Sequence, residues 1–357
     1  TIPIESTIYI SQAGLHPFFD NLVAEGWLEH AQSRLLNKRQ ASRFELLLAF
    51  GYDCAGAVSI VDPEPAKLTE QLLDMSDAKE IAVLTGRASL SGVQPKLAII
   101  ERERKYYPAT VGKLSTHIAK FPSSEHANLI INEYLTSLAF KALLPDDDVV
   151  DLSIGSIEGV SEPALIIKRF DRTPEGRVHF EEFNQLLSRK SSSKYDGSYK
   201  EMSDFIRTSK DCLPIENYRL YARILAGVLL DNTDMHFKNF AMFHTPAGLR
   251  LTPSYDQVAA ALYKYKTIAL AIGETPNLQI SNLKPKNLIA MADEFALPRA
   301  AIYMLFKQLE RNKSDAKDAI LSAPVGDDNI KNQLIKLMDT RWNGTFALIG
   351  QTLSMKP

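Results

Sequence analysis

Three side chains that phosphoryl transfer requires occur close together in the sequence. Residues 231–240 read DNTDMHFKNF, and residues 253–256 read PSYD. Phosphoryl transfer needs a carboxylate that holds the attacking hydroxyl, and an amide and a second carboxylate that hold Mg²⁺ against the phosphates. Asp234 and Asn239 have the five-residue spacing of kinase catalytic loops, and Asp256 follows after a predicted hairpin. We therefore predict Asp234 as the base and Asn239 and Asp256 as metal ligands.

Other polar residues around this set are poor material for a packed core. Lys238 is suited to contact a phosphate or to balance charge near Asp234, and we predict a catalytic role for it. His236 fits equally well a donor that orients the loop and an internal histidine with its own hydrogen bonds. Asp231, at a helix end, and the acidic run at 146–148 are interpreted as solvent-exposed acids.

A small, hydroxyl-rich turn precedes a strong strand signal at 97–100. Residues 89–96 read SLSGVQPK. Such a turn can bring backbone N–H groups and hydroxyls to phosphate oxygens. The pattern is neither a dinucleotide-binding nor a Walker motif, so a plain turn into the strand is the alternative interpretation.

A lysine interrupts the apolar strand predicted at 117–121. Burying an unpaired ammonium is costly, so Lys120 is expected to meet an anion. ATP phosphates and the carboxylate of Glu133, on the following helix, would supply that anion, as in the strand-lysine and helix-glutamate pair of kinases. The alternative is a lysine that reaches solvent from an edge strand.

The order of elements predicts an α+β protein. Residues 1–62 read as a short extended piece and helices, and residues 63–180 read as hairpin strands with one helix. Residues 181–357 are mainly helical, with a hairpin at 239–252. A β-rich part followed by a helical part leaves a cleft for a ligand, with residues 181–183 as an extended linker that offers its backbone to adenine.

One Ser-rich stretch lies near the start of the helical part. Residues 190–199 read KSSSKYDGSY. They predict a loop that is either a mobile segment meeting phosphate or substrate, or a solvated linker.

Composition excludes several classes of protein. The chain has 357 residues, with 41 Lys and Arg against 43 Asp and Glu, so no global basic field argues for nucleic-acid binding by this chain alone. Cys54 and Cys212 do not form a disulfide framework, and they fit buried thiols in a reducing cytoplasm. No run of about 18 apolar residues predicts a membrane span.

Taken together, these segments resemble the HipA family, the kinase components of bacterial toxin–antitoxin systems. The similarity covers about residues 86–260 in family order. Its segments are SxSGVQPK at 89–96, THIxK at 116–120, INEY at 131–134, KRFDR at 168–172, EEFNQ at 181–185 and NTDMHxKNF followed by SYD at 232–256. In addition, PFFDNL at 17–22 and GYDCAGAV at 51–58 resemble the later half of the family's N-terminal subdomain.

The resemblance implies a protein-kinase-like two-lobe fold, with a β-rich N-terminal lobe and a mostly helical C-terminal lobe, and the use of ATP with Mg²⁺. It implies the roles given above for Asp234, Asn239 and Asp256. The residues it places at ATP are Ser91, Gly92, Val93, Gln94, Lys96, Lys120, Glu181, Phe183 and His236. It also implies autophosphorylation on Ser89 or Ser91, whose added charge of roughly −1.5 to −2 would act against ATP binding.

Partners follow from the same resemblance. It implies an aminoacyl-tRNA synthetase as protein substrate, and a helix-turn-helix antitoxin similar to HipB that makes the contact with DNA. Family members usually begin with a longer β-rich subdomain, so a separate small HipS-like protein, as in the three-component HipBST systems, is a further expected partner. Asp231 departs from the family, which commonly has glycine there.

Two other classes of function remain open from the sequence. A small-molecule phosphotransferase would use the same three residues on an aminoglycoside or a lipid head group. A pseudokinase would bind a partner without catalysis, but the intact set of Asp234, Asn239 and Asp256 argues against it.

Overall fold

The computed structural model describes residues 14–64, 94–110, 112–349 and 352. The helices of this described part are α1 (Pro17–Asp20), α2 (Gly26–Leu35), α3 (Arg43–Phe50), α4 (Leu129–Leu143), α5 (Phe183–Leu186), α6 (Tyr199–Thr208), α7 (Ile215–Leu229), α8 (Pro285–Glu294), α9 (Arg299–Ser322) and α10 (Asp328–Gly344). The strands are β1 (Lys96–Arg102), β2 (Lys105–Pro108), β3 (His117–Lys120), β4 (Leu152–Ile157), β5 (Val160–Lys168), β6 (Arg172–Thr173), β7 (Gly176–Arg177), β8 (Phe180–Glu182), β9 (Ala241–Thr245) and β10 (Gly248–Leu251).

The chain forms two compact units, each made of two segments. The first unit comprises Thr1–Ile130 and Val150–Ser193, and the second comprises Ile131–Val149 and Lys194–Pro357. Helix and strand content agrees with the predicted α+β class.

These units differ from the predicted segments that end at residues 62 and 180. Helices α1 to α3 are not a separate compact unit, because they share one hydrophobic core with the sheet of the first unit. Phe18, Leu46 and Phe50 of the helices pack in this core together with Ile99 of β1 and Ile166 of β5. Burial of this apolar surface is the main stabilising contribution to the first unit.

Five strands of the first unit form a sheet that closes on itself in the order β1-β2-β4-β5-β3. Strand β1 pairs antiparallel with β2 and β3, and β5 pairs antiparallel with β3 and β4. One parallel pair, Tyr106 with Ile157, joins β2 to β4. Between β1 and β2, Glu103 and Arg104 have φ of 49° and 63°, the left-handed conformation that a two-residue hairpin turn of type I′ requires. The predicted antiparallel hairpins are therefore confirmed.

A buried ion network joins the segment at 51–58 to the KRFDR segment. Arg169 lies 3.4 Å from Asp53 and 2.7 Å from Asp171, and Arg172 lies 2.7 Å and 2.8 Å from the same two carboxylates. Burial by itself would raise the pKa of Asp53 and Asp171, but the two guanidinium groups outweigh it and hold both pKa values below the usual range. The carboxylates therefore stay ionised inside the first unit.

A second set of polar contacts joins the PFFDNL and EEFNQ segments. Asn184 Nδ2 donates to Asn21 Oδ1 at 2.7 Å, and Gln185 Nε2 donates to the Phe18 carbonyl at 3.0 Å. Asn21 Nδ2 in turn donates to the Arg189 carbonyl at 2.8 Å. These residues of the family-like segments serve the packing of α1 against α5.

In the second unit, helix α7 and the hairpin β9–β10 bracket the predicted catalytic loop. Helix α7 is almost wholly buried, and its bounds agree with the helix predicted at 217–230. The predicted hairpin is confirmed, and because Thr245 lies opposite Gly248, its two-residue turn is Pro246 and Ala247. Gly248 has φ of 117°, and a Cβ there would lie 2.5 Å from the Asp211 carbonyl oxygen, so only glycine fits.

The acidic run at 146–148 is not a solvated turn throughout, and that prediction is wrong for Asp147. This side chain is buried and accepts hydrogen bonds from Arg219 Nη2 at 2.5 Å and from Arg223 Nε at 2.5 Å. The two arginines are four residues apart on α7, so both guanidinium groups lie on one helix face. Their charge outweighs the effect of burial and lowers the pKa of Asp147.

Both cysteines are free and buried, as predicted. In the described ranges, no helix combines the length and apolar character that crossing a membrane requires.

Replacing Arg169 with Met tests the buried ion network. Asp53 and Asp171 would lose a buried counter-charge, so we expect the free energy of unfolding to fall by about 3–5 kcal/mol in urea denaturation at pH 7. The loss should shrink as pH falls through the lowered pKa values of the two carboxyls, because protonation removes the uncompensated charge.

Arg102→Met is the matched control, since Arg102 is exposed at the end of β1. It should change the free energy of unfolding by less than about 0.5 kcal/mol. Equal effects of the two substitutions would contradict the role given to Arg169.

Candidate active site

The catalytic loop, residues 231–240, connects helix α7 to strand β9. Within it, the Asp234 backbone N–H donates to Asn232 Oδ1 at 3.2 Å, and Asn239 Nδ2 donates to the Asp234 carbonyl at 2.7 Å. Because the Asn239 nitrogen makes this bond, its Oδ1 is the amide atom that can serve as an oxygen ligand. The structure thus brings the predicted base and the predicted metal-binding amide together.

The turn that carries Asp256 is attached to the same loop. Asn232 Nδ2 donates to the Asp256 carbonyl at 3.4 Å and to Gln257 Oε1 at 3.3 Å. Ala259 lies three residues beyond Asp256. Its N–H donates to Asn132 Oδ1 at 2.9 Å, and its carbonyl accepts from Asn132 Nδ2 at 3.2 Å. Asp256 itself has φ of 55°, an uncommon backbone conformation that is found preferentially at functional sites.

The two carboxylates influence each other. Burial raises the pKa of Asp234, the Tyr195 hydroxyl acts against this, and the nearby Asp256 carboxylate raises the pKa further. The net direction is upward although Lys194 opposes it. Two interacting, half-buried carboxylates favour a bound cation, since a cation offsets both repulsion and lost hydration.

His236 and Lys238 are both buried in the loop. Burial, and then the charge of Lys194, lower the pKa of His236 to about 3, so the ring is neutral at physiological pH. The Lys238 N–H donates to His236 Nδ1 at 3.3 Å, which places the proton of the neutral ring on Nε2. The Lys238 carbonyl accepts from the Tyr255 hydroxyl at 2.9 Å. His236 therefore stabilises the loop through its hydrogen bond with the Lys238 N–H. Its contact with ATP stays a prediction.

Part of the Ser-rich stretch belongs to this site. The Tyr195 hydroxyl donates to Asp234 Oδ1 at 2.8 Å, and its ring packs edge-on against His236 with centroids 4.9 Å apart. The Phe237 N–H donates to the Lys194 carbonyl at 3.2 Å. The solvated-linker interpretation is therefore wrong for Lys194 and Tyr195, because both residues are hydrogen-bonded to the loop at 231–240.

Asp231 is buried, and its interpretation as a surface acid is wrong. Its φ of 56° is the left-handed conformation that glycine adopts without steric cost. Its carboxylate accepts from Arg341 Nε at 2.8 Å, and Arg341 Nη1 donates to the Ile280 carbonyl at 2.5 Å. Burial raises the pKa of Asp231 although Arg341 opposes it. The side chain thus links the start of the catalytic loop to α10.

In the first unit, Lys96 and Lys120 are direct cross-strand partners on β1 and β3. Both are buried, and β3 is paired on both sides, so the edge-strand interpretation of Lys120 is wrong. Gln94 Nε2 donates to the Phe121 carbonyl at 2.8 Å, which holds the end of the predicted phosphate turn beside β3. The contact of these two lysines with ATP phosphates stays a prediction.

The remaining predicted site residues fall in three places. Glu181 is buried in β8 with its carboxylate 3.6 Å from His179 Nε2, and Phe183 is fully buried at the start of α5. Glu133 is buried on α4 of the second unit, and its ion pair with Lys120 stays a prediction. Ser89, Ser91, Gly92 and Val93 lie outside the described residues.

Sequence reasoning missed three residues that shape the site. Tyr195 lies in a stretch whose only signal was its composition, about forty residues before Asp234. Asn132 and Asn232 each lie inside a family-like segment, but nothing in their spacing indicates which backbone groups they bind. Polar residues inside otherwise apolar segments were the available signal.

Comparison with protein families finds two matches. The model of the HipA-like C-terminal domain matches residues 88–316, and that of the HipA N-terminal domain matches residues 1–61. Among individual proteins, Y4dM of Sinorhizobium fredii is 31% identical over 69% of this chain, which spans 63% of that relative. The serine/threonine-protein kinase toxin HipA of Shewanella oneidensis is 28% identical over 92% of this chain and 82% of its own length.

Two solved structures are similar as well. HipA in the Shewanella oneidensis complex of HipA, HipB and operator DNA has a TM-score of 0.69 at 25% identity, and the match covers 94% of this chain and 87% of that one. The Helicobacter pylori proinflammatory kinase CtkA has a TM-score of 0.52 at 13% identity and covers 72% of this chain, which shows a related fold.

The Asp231–Arg341 pair can be tested by a double-mutant cycle in urea unfolding. Arg341→Met leaves the Asp231 carboxylate buried without this partner and should cost about 3 kcal/mol. Adding Asp231→Gly removes that charge and the left-handed strain, so the double variant should regain most of the loss. Arg311→Met on the exposed face of α9 is the control. Additive effects of the two substitutions would show that the pair is not coupled.

Proposed function

The chain belongs to the HipA-like family of kinases, and we propose that it transfers the γ-phosphoryl group of Mg·ATP to serine or threonine hydroxyls of proteins. The observation that carries the proposal is the arrangement of Asp234, Asn239 and Asp256 on one hydrogen-bonded pair of loops. The base, amide and carboxylate occur in the order that kinase chemistry requires.

The residues present fit Mg²⁺. This ion prefers oxygen ligands, and Asn239 Oδ1 and the Asp256 carboxylate are oxygen donors next to a further carboxylate. Bound there, Mg²⁺ would supply charge stabilisation for the phosphates. Asp234 accepts the hydrogen bond of the attacking hydroxyl and orients it, while Lys238 balances charge in the loop.

In this proposal the first unit contacts the rest of the nucleotide. Lys96 and Lys120 bind phosphate oxygens, which is supported by their burial on adjacent strands. The turn at 91–94 contributes backbone donors, and the segment at 181–183 contributes backbone groups to adenine. Because Phe183 is fully buried, its side chain is not available to adenine, and only its backbone groups can bind the adenine ring.

We further propose that the kinase regulates itself through the turn at 89–96. Phosphate on Ser89 or Ser91 would place negative charge beside the ATP phosphates and beside Lys96, which would weaken ATP binding. The chain would then switch itself off.

Similarity to a toxin kinase that was solved with HipB and operator DNA supports a matching biological role. We propose that the chain is the toxin of a toxin–antitoxin system, that a HipB-like antitoxin neutralises it, and that DNA is reached through that antitoxin. An aminoacyl-tRNA synthetase is the substrate, and a HipS-like protein is a further candidate partner. A cationic small-molecule acceptor is less well supported, because Asp147 of the acidic run is already neutralised by two arginines.

Two asparagine substitutions separate the roles of the carboxylates. Asp234→Asn should bind Mg·ATP with unchanged affinity but lose phosphoryl transfer by at least about a hundredfold, because the base is removed. Asp256→Asn should also weaken nucleotide binding in the presence of Mg²⁺, because a metal ligand is lost. Calorimetric titrations with ATP, with and without Mg²⁺, measure the nucleotide affinity of each variant. Equal affinity of the two variants would contradict this division.

Autophosphorylation is tested by the intact mass of the purified chain before and after incubation with Mg·ATP, followed by peptide mapping. We expect a gain of one phosphate on Ser89 or Ser91 in the wild type and no gain in Asp234→Asn. A chain that is already phosphorylated shows the added mass at the start and gains none. Absence of phosphate before and after incubation would contradict self-regulation through this turn.

A further inference from the structure

The side chain of Asp234 has a freedom that its backbone contacts do not remove. Asn232 and Asn239 hold the Asp234 N–H and carbonyl. A carboxylate still rotates almost freely about its terminal torsion, so these bonds do not fix the plane of its two oxygens. A donor on one oxygen is needed to fix it.

We propose that Tyr195 is a positioning residue for the catalytic base, an inference that rests on the proposed kinase function. Its hydroxyl donates to Asp234 Oδ1 at 2.8 Å, and this bond fixes the plane of the carboxylate. With Oδ1 engaged, Oδ2 is the oxygen that receives the hydrogen bond of the acceptor hydroxyl.

The surroundings of Tyr195 hold its hydroxyl in this place. Its ring packs edge-on against the buried His236 ring, and the Lys194 ammonium lies 5.6 Å from the ring centroid. At this spacing the aromatic contacts are attractive and limit rotation of the ring. Because His236 belongs to the catalytic loop, the phenol and the carboxylate share one support.

The backbone on both sides of Tyr195 is anchored as well. The Lys194 carbonyl accepts from the Phe237 N–H at 3.2 Å, and the Gly197 carbonyl accepts from the Ala271 N–H at 2.9 Å. Gly197 lies so close to Phe237 that a Cβ there would be 2.7 Å from its ring. A segment bonded on both sides acts as a fixed support for the base, whereas an inhibitory plug would have to leave for each acceptor.

Exposure of the ring agrees with this role. Tyr195 is 47% exposed, and its hydroxyl binds the half-buried Asp234 carboxylate. One side of the ring therefore faces solvent beside the base, where a protein acceptor can approach without displacing the hydrogen bond.

Tyr195→Phe tests the proposal because it keeps the ring and removes only the hydroxyl. The maximal rate of phosphate incorporation into the chain at saturating Mg·ATP should fall about tenfold to a hundredfold, as expected for losing a hydrogen bond to a charged group. The ATP concentration that gives half this rate should stay unchanged. The thermal midpoint should fall by only a few degrees, because the loss of one hydrogen bond leaves the fold intact. In an Asp234→Asn background the same substitution should have no further effect.

Tyr303→Phe is the matched control. Tyr303 is 46% exposed on α9, and the Lys307 ammonium lies 5.9 Å from its ring centroid, so its exposure and its contact with a lysine resemble those of Tyr195. It should leave the rate unchanged. An unchanged rate in Tyr195→Phe would overturn the proposal, and a faster rate would overturn it in favour of a blocking role.

A wild-type chain that carries no phosphate before or after incubation would count against the kinase function. The role of Tyr195 is then decided by unfolding. Tyr195→Phe and Asp234→Ala, singly and together, are compared in urea. Non-additive effects support the coupling of hydroxyl and carboxylate, and additive effects overturn it.

Discussion

The catalytic loop at 231–240 is a polar segment in mostly buried surroundings, and its groups must find their partners within the protein. The partners come from distant parts of the second unit. The Tyr199 hydroxyl donates to the Met235 carbonyl at 3.1 Å, and the Tyr255 hydroxyl donates to the Lys238 carbonyl at 2.9 Å. Each partner fixes one part of the backbone, so the relative positions of base and metal ligands depend on this satisfied network.

Like charges are held close in each unit. Lys96 and Lys120 are neighbours in the first, and Asp234 and Asp256 interact in the second. Repulsion from the Asp256 carboxylate is one cause of the raised pKa of Asp234, and a bound cation would reduce it. In the proposed function, Lys96 and Lys120 bind phosphate oxygens, and Asp256 is a ligand of Mg²⁺.

The family-like segments divide into chemical and structural ones. NTDMHxKNF and SYD carry the proposed chemistry, whereas KRFDR and GYDCAGAV form the buried network of Asp53, Arg169, Asp171 and Arg172. PFFDNL and EEFNQ bind each other through amide side chains. Asn132 of INEY holds the turn after Asp256. Removing one member of a buried pair leaves an uncompensated charge or donor. The structure therefore requires these residue types at these positions.

The sequence by itself determined the α+β class, the hairpins and helix α7, because periodicity, turn residues and loop spacing are local properties. It also predicted that the segments carrying Asp234, Asn239 and Asp256 lie together, whereas the roles of these residues stay a proposal. It misplaced Asp147 and Asp231 as surface acids, since burial of a carboxylate depends on arginines far along the chain. It gave no role to Tyr195, because the partner of its hydroxyl, Asp234, also lies far along the chain. Tertiary structure alone decided which distant groups meet, because the hydrogen-bond partner of a polar side chain is set by packing and not by spacing in sequence.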